Sequence, residues 1–222
     1  MFPPIPIKVT QPSYSRPLVT VLLIAINVWV FLHYLSLDPY SRNHFTQLYA
    51  LRPARFHAEN LITHMFLHAG WFHLLGNMIF LWVFGDNVED ILGHGKYLLF
   101  YLLCGVAAGL AQMVIDPFSR VPMVGASGAI AGVMGAYLVK FPRSRVVMLI
   151  WLIFIWTFDL PAWLMLIYWF GMQLFDGLGS LGEGAQGGVA FFAHVGGFIV
   201  GIVLIQLMGA RQRYWHRKDL SW

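Results

Sequence analysis

The sequence has 222 residues, of which 59% are hydrophobic and only 11% are charged, and its formal net charge is +4. Soluble domains carry about 25% charged residues, so this composition excludes an ordinary soluble globular protein and predicts an integral membrane protein in contact with the lipid bilayer. The single cysteine, Cys104, excludes an internal disulfide. The sequence contains no basic patch interleaved with aromatic residues, so nucleic acid is not an expected partner.

Six apolar segments are predicted to cross the membrane. Residues 1–16 are polar and proline-rich and are predicted to form an N-terminal tail. The apolar run that follows is interpreted as a permanent span rather than a removed signal peptide. A spanning helix needs about 20 apolar residues, and about 17 at minimum. The predicted spans are Leu18–Leu37, His73–Val88 (extended back to Trp71), Tyr97–Ile115, Gly125–Phe141, Pro161–Gly177 and Gly188–Met208.

Three other segments are not predicted to span. Val146–Phe158 has only 13 residues and is predicted to be interfacial or re-entrant. Asp38–Phe72 is predicted to be a long exterior loop with a short interfacial helix at Ala58–His68. Asp176–Gly188 contains six glycines and no cation, and is predicted to be a second exterior loop.

The distribution of cations sets the predicted orientation. With both termini in the cytoplasm, the inside segments hold ten lysines and arginines and the outside segments hold four. This agrees with the positive-inside rule, whereas a seventh span would place the basic C-terminal tail outside. The fold class is therefore predicted to be all-α, a six-span helical bundle over residues 17–209 followed by a basic cytoplasmic tail over 210–222.

Ser127 is a candidate nucleophile. It lies in the run Gly125-Ala126-Ser127-Gly128 at the start of the fourth predicted span. The backbone N–H groups of a helix start have no partner within the helix and attract anions, and the flanking Gly125 and Gly128 leave the hydroxyl unshielded. The alternative is a structural one, because serine and glycine are common small contacts between membrane helices.

His194 is the candidate general base. Spans four and six run in the same direction, so Ser127 and His194 are predicted to lie at similar depth. Gly197 and Gly201 share the helix face of His194, while Gly128, Ala131 and Gly135 flank Ser127, so the two faces can pack closely. The alternative role for His194 is a structural hydrogen bond. No carboxylate lies within four residues of His194, which favours a Ser-His dyad over a Ser-His-Asp triad.

His73 and Asn77 are candidate donors to an oxyanion. They lie four residues apart, on one face at the exterior end of the second span. Both side chains offer N–H groups that can stabilise a tetrahedral intermediate. The alternative is a pair of polar residues that line a water-filled mouth.

Three motifs together resemble the rhomboid family of intramembrane serine proteases. They are HMFLHAGWFHLLGNM at residues 64–78, GASG at 125–128 and AHVGGFIVG at 193–201. The resemblance implies a dyad of Ser127 and His194, and an oxyanion site made by His73, Asn77 and the Ser127 backbone N–H. It also implies supporting positions around these residues. The implied activity is that of an endopeptidase that cleaves transmembrane segments of single-span membrane proteins without a cofactor or metal. The implied location is the bacterial cytoplasmic membrane. The supporting positions are His68, Gly125, Gly128, Gly197 and Gly201.

Two features depart from the family pattern. The loop Asp38–Phe72 contains no Trp-Arg dipeptide, which many members have there. Four residues after the serine, where many members place an aromatic ring against the catalytic imidazole, this chain has Ala131. We therefore expect either that another group orients His194 or that the two helices pack more closely.

Other functions are compatible with parts of the sequence. His57, His64, His68 and His73 are close enough along the chain to suggest a metal or haem site, but no H-E-x-x-H motif accompanies them. A catalytically inactive relative that binds or chaperones membrane proteins would be expected to have lost Ser127 or His194. A transporter would be expected to carry its polar residues near the midplane rather than at one mouth.

Overall fold

The computed structural model describes residues 4–151, 155–180 and 190–210. The helices in these ranges are α1 Leu18–Ser36, α2 Pro39–Tyr49, α3 Asn60–Thr63, α4 Trp71–Leu92, α5 His94–Ile115, α6 Ser127–Lys140, α7 Ala162–Ser180 and α8 Phe191–Leu207. The strands are β1 Ile5–Val9, β2 Arg145–Trp151 and β3 Ile155–Pro161. Most of the predicted C-terminal tail and most of the predicted loop at 176–188 lie outside the described residues.

The prediction of a mainly helical membrane protein is confirmed. Each predicted span coincides with a helix, namely α1, α4, α5, α6, α7 and α8. By length and composition α1 and α5 can cross a bilayer, and residues 60–66 with α4 form a third candidate bent by 98°. The apolar helices α6 and α8 are shorter. The count of six spans stays a prediction.

The all-α prediction was wrong at one end of the bundle, where three strands form a small sheet. Its strand order is β1-β2-β3 and both pairings are antiparallel. The segment Val146–Phe158, predicted to be interfacial or re-entrant, forms most of the β2–β3 hairpin. The predicted N-terminal tail supplies β1. The apolar run at 146–158 is short, and in such a run periodicity alone does not distinguish a strand from a helical segment.

The loop between α1 and α4 is more ordered than its sequence predicts. Helix α2, which was not predicted, is capped at its N-terminus by Asp38. The Asp38 carboxylate accepts hydrogen bonds from the Ser41 side chain and from the backbone N–H groups of Ser41 and Tyr40. These bonds lower the pKa of Asp38. The short helix predicted at Ala58–His68 is reduced to α3 and one following 3-10 turn.

Contacts to α1 and to the segment before α6 attach this loop to its surroundings without a Trp-Arg pair. The Arg42 guanidinium donates to the Leu35 carbonyl and lies 5.8 Å from the centre of the Tyr34 ring. Farther along, Leu51 pairs with Met123 through two backbone hydrogen bonds of 3.1 and 2.8 Å. The second contact connects the loop to the segment that leads into α6.

The N-terminus of α1 is capped by a carboxylate from α4. Glu89 is fully buried and accepts hydrogen bonds from the backbone N–H groups of Val19 and Thr20, each at 2.8 Å, and from the Thr20 hydroxyl at 2.7 Å. His94 Nδ1 lies 2.6 Å from the same carboxylate. The first N–H groups of a helix have no partner within it, so Glu89 satisfies them and fastens α1 to α4.

Helices α6 and α8 touch backbone to backbone. A Cβ at Gly197 would collide with the carbonyl oxygen of Gly128, and a Cβ at Gly201 would collide with that of Gly132. On α6, Gly135 similarly lies against the Phe198 carbonyl. The predicted contact through Gly128, Gly197 and Gly201 is therefore present, with Gly132 as an additional member.

Helix α5 packs behind this pair. A Cβ at Gly128 would lie 2.5 Å from Ala108 Cβ, and one at Gly132 would lie 2.5 Å from Cys104 Cβ. Small residues thus let three helices approach together, as is common in membranes.

We predict that Gly201→Ala destabilises the protein. The added methyl must push apart two backbones, and overpacking in a well-packed core costs about 1–3 kcal/mol. The measurement is the apparent melting temperature in detergent micelles. Gly171→Ala on α7 is the control, because a Cβ there meets nothing within 4 Å. Equal melting temperatures for the two variants would contradict the close contact.

Candidate active site

The structure brings the side chains of Ser127 and His194 into hydrogen-bond contact. Ser127 is the first residue of α6 and His194 is the fourth residue of α8. The Ser127 Oγ lies 2.7 Å from His194 Nε2. The imidazole is buried, with 8% of His194 exposed, whereas Ser127 is only partly buried. This gives a serine hydroxyl that a ligand can reach, paired with a shielded base.

The glycine contact explains why these two side chains meet. Gly128 follows the serine and packs against Gly197, which lies less than one turn after the histidine. Because α6 and α8 touch through their backbones there, their N-terminal ends lie at the same level. The prediction that Ser127 and His194 lie at similar depth agrees with this arrangement.

The second ring nitrogen of His194 has a partner that the sequence analysis missed. His194 Nδ1 lies 2.6 Å from Oε1 of Gln173 on α7. One turn earlier on the same helix, the Trp169 ring lies over the imidazole, with centroids 5.8 Å apart and planes tilted by 35°. Gln173 is a polar residue inside an apolar helix, and the cost of burying polar groups in lipid would have singled it out.

These contacts account for the departure at Ala131. The first expected alternative fits this arrangement, because Gln173 and Trp169 contact the imidazole. Ala131 itself is fully buried. The aromatic contact to the histidine thus comes from another helix.

His73 and Asn77 converge on the backbone just before the serine. Gly125 has a φ of +122°, a conformation that favours glycine. A Cβ there would lie 2.7 Å from both Cε1 and Nε2 of His73, and 3.6 Å from Nδ2 of Asn77. Both side chains from α4 therefore lie against the turn that leads into α6.

Each side chain of this pair has an N–H donor without a hydrogen-bond partner among the described residues. The Ala69 N–H points at His73 Nδ1 from 3.5 Å, so Nε2 is the ring nitrogen that carries a proton. Asn77 Nδ2 is buried and has no hydrogen-bond partner in the described part of the chain. An unsatisfied buried donor costs about 1–3 kcal/mol, a cost that is recovered when an acceptor binds.

His64 and His68 lie behind this region. His64 Nδ1 is 2.7 Å from the Asn60 carbonyl oxygen, while the His64 carbonyl accepts the Gly125 N–H at 2.9 Å. The His68 ring packs edge-on to His73, with centroids 5.1 Å apart. Within residues 4–151, 155–180 and 190–210, no group of three or more His, Cys, Asp or Glu side chains is placed to hold a metal ion.

The arrangement contains the groups needed for acyl transfer. A serine hydroxyl contacts a histidine, the histidine has an orienting partner, and N–H donors lie beside the serine at an uncapped helix N-terminus. The first N–H groups of such a helix end add to the donors available for a developing negative charge.

Comparisons with known proteins agree with this chemistry. Residues 55–211 match the family model described as Rhomboid domain. The chain is 44% identical over 78 residues to the rhomboid protease GluP of Bacillus subtilis (strain 168), which covers 35% of this chain and 15% of GluP. It is 30% identical over 192 residues to Rhomboid-like protein 11, chloroplastic, of Arabidopsis thaliana, covering 81% of this chain and 64% of that protein.

A third relative is the rhomboid protease GlpG of Salmonella paratyphi A (strain ATCC 9150 / SARB42). The identity is 27% over 172 residues, covering 72% of this chain and 52% of GlpG. The chain therefore spans less than two thirds of the length of each of these three relatives. The matched region of the family model contains all four residues predicted to act in the reaction.

Proposed function

The chain belongs to the rhomboid family and is an integral membrane protein, and from this premise we propose that it is a serine endopeptidase that cleaves transmembrane segments of other membrane proteins. The observation that carries the proposal is the 2.7 Å contact between Ser127 Oγ and His194 Nε2 within an apolar helical bundle. Ionisable and polar side chains at membrane depth are expensive and usually functional.

The proposed reaction begins with attack of Ser127 on the scissile carbonyl. As the Oγ–C bond forms, His194 Nε2 accepts the hydroxyl proton. Collapse of the tetrahedral intermediate breaks the C–N bond, and His194 returns the proton to the leaving amine. Water then attacks the acyl ester with His194 again as base, which releases the carboxylic acid and regenerates the Ser127 hydroxyl.

The oxyanion of the intermediate is assigned to the space beside Gly125. The side-chain N–H groups of His73 and Asn77 and the backbone N–H of Ser127 are its proposed donors. Asn77 Nδ2 supports this assignment, because it is buried and has no partner among the residues that the structure describes. In soluble serine proteases the removal of one such donor raises the barrier by about 2.7–4 kcal/mol.

The length of α6 supports catalysis below the membrane surface. Its 14 residues rise about 21 Å at 1.5 Å per residue, whereas the hydrocarbon core of a bilayer is about 30 Å thick. With Lys140 at the cytoplasmic boundary, Ser127 lies about 9 Å inside the opposite boundary. A six-span topology with both termini in the bacterial cytoplasm fits this placement and the positive-inside count.

The proposed substrates are single-span membrane proteins. Backbone groups of a helix in lipid are fully hydrogen-bonded to one another, so a peptide bond reaches Ser127 only after local unwinding. Segments with small or helix-breaking residues near the exterior interface are the expected cleavage sites.

We predict that a fluorescent fluorophosphonate labels the wild-type protein and not Ser127→Ala. His194→Ala should label very slowly, because the hydroxyl then lacks its base. Cleavage of a model single-span substrate in liposomes should fall in parallel. Ser36→Ala is the control, since among the described residues its hydroxyl bonds only to the His33 carbonyl at the end of α1. Undiminished substrate turnover by Ser127→Ala would end the serine-protease proposal.

Asn77→Ala is expected to be a milder change. One donor among several is lost, which predicts a fall in kcat of about tenfold to a thousandfold with little change in KM. The comparison is made with His194→Ala on the same substrate. A greater loss for Asn77→Ala than for His194→Ala would mean that the two roles are assigned wrongly.

The topology prediction is tested by cysteine accessibility after Cys104→Ala. A cysteine in place of Ser180, the last residue of α7, should react with an impermeant thiol reagent added to intact cells. One in place of Arg213 should react only after lysis. The opposite pattern would mean that the bundle has the inverted orientation. Reaction of both cysteines from outside would contradict the six-span count.

A further inference from the structure

We propose that Gln173 on α7 is a positioning residue for the reaction, holding His194 in the tautomer and ring orientation that a general base needs. The inference rests on the proposed function, because it assigns His194 as the base for Ser127. It extends that proposal by placing a third residue, from a third helix, behind the serine and histidine.

The hydrogen bonds of His194 form a chain through the imidazole. Gln173 Oε1 lies 2.6 Å from Nδ1 on one side of the ring, and Ser127 Oγ lies 2.7 Å from Nε2 on the other. Two bonds at opposite positions fix the ring plane. The Trp169 ring, at 5.8 Å, packs beside the imidazole and limits its rotation.

The chemistry of the amide decides which nitrogen carries the proton. A neutral imidazole has one N–H donor and one acceptor nitrogen, and a carboxamide oxygen is only an acceptor. A contact between Gln173 Oε1 and Nδ1 therefore requires the proton on Nδ1. That leaves the Nε2 lone pair directed at the Ser127 hydroxyl, as proton removal demands.

The same bond persists after proton transfer. When Nε2 has accepted the serine proton, Nδ1 still donates to the amide oxygen, whose partial negative charge favours the imidazolium. In soluble serine proteases an aspartate performs this task. Inside a bilayer an ionised carboxylate is costly, whereas an amide orients the imidazole without adding a charge.

Gln173 and Trp169 come from one face of α7, because they lie four residues apart. Helix α7 also packs beside α8 through Phe170 and Phe198, whose ring centroids are 4.8 Å apart. This packing holds α7, and with it Gln173, against the helix that carries His194.

The test compares Gln173→Met, which keeps the length of the side chain but accepts no comparable hydrogen bond, with the wild type. We expect kcat to fall about 10- to 100-fold, the size of effect that a misplaced catalytic group produces, with KM unchanged. The matched control is Gln206→Met on α8, where the amide donates to the Ile202 carbonyl and to no other group in the described part of the chain, and wild-type kcat is expected.

Gln173→Glu supplies a second readout. A carboxylate beside Nδ1 stabilises the imidazolium, so the acid limb of the kcat/KM profile should move to higher pH than in wild type. Among the described residues, His73 on α4 is an ionisable group close enough to interact electrostatically with His194, and it is the same in the wild type and in Gln173→Glu. A shift of the acid limb between the wild type and Gln173→Glu therefore reports on position 173.

A measurement on the unaltered protein avoids any folding defect of the variants. In protein labelled with ¹⁵N-histidine, with the His194 signals assigned by their loss in His194→Gln, Nδ1 should be protonated and Nε2 unprotonated near neutral pH. A protonated Nε2, or wild-type kcat and pH profile in Gln173→Met, would overturn the proposal for Gln173. Persistent cleavage by Ser127→Ala would instead overturn the proposed function, so the two failures are distinguishable.

Discussion

The close approach of α6 and α8 is the constraint on which the site depends. Gly128 and Gly132 on one helix lie against Gly197 and Gly201 on the other, at a separation that a methyl group would prevent. Ser127 precedes this contact on α6 and His194 precedes it on α8. The length of a serine–histidine hydrogen bond is thus set by backbone packing, which is far stiffer than the side chains themselves.

Buried polar side chains lie near both ends of α4, and Asn77 and Glu89 differ in whether their hydrogen bonds are made within the protein. Near its start, Asn77 keeps a buried donor without a partner in the described residues, a cost that suits a site awaiting a ligand. Sixteen residues after His73, about 24 Å along the helix, Glu89 is fully satisfied by the start of α1 and by His94. Glu89 is thus paired within the protein, whereas the Asn77 donor near the other end of α4 has no partner among the described residues.

The neutral character of the site follows from its surroundings. Its polar contacts are made by serine, histidine and two carboxamide side chains, Asn77 and Gln173, rather than by carboxylates. In an apolar bundle a dipole costs less to bury than a charge, and an amide can accept or donate a hydrogen bond as required. Orientation of the imidazole is therefore obtained from geometry and packing instead of from a buried ion pair.

The sequence alone determined the helices of the bundle and the four polar residues that meet at its open end. Spans are recognisable because about 20 consecutive apolar residues are a local signal, and Ser127, His194, His73 and Asn77 stood out as polar residues within them. Tertiary structure alone decided the sheet, since β1 pairs with β2 about 140 residues later in the chain and pairing between distant strands leaves no local periodicity. It also decided the partner of His194. Whether Gln173 or another polar group reaches the imidazole depends on how α7 is placed and rotated against α8, which contacts between distant helices determine and local sequence does not record.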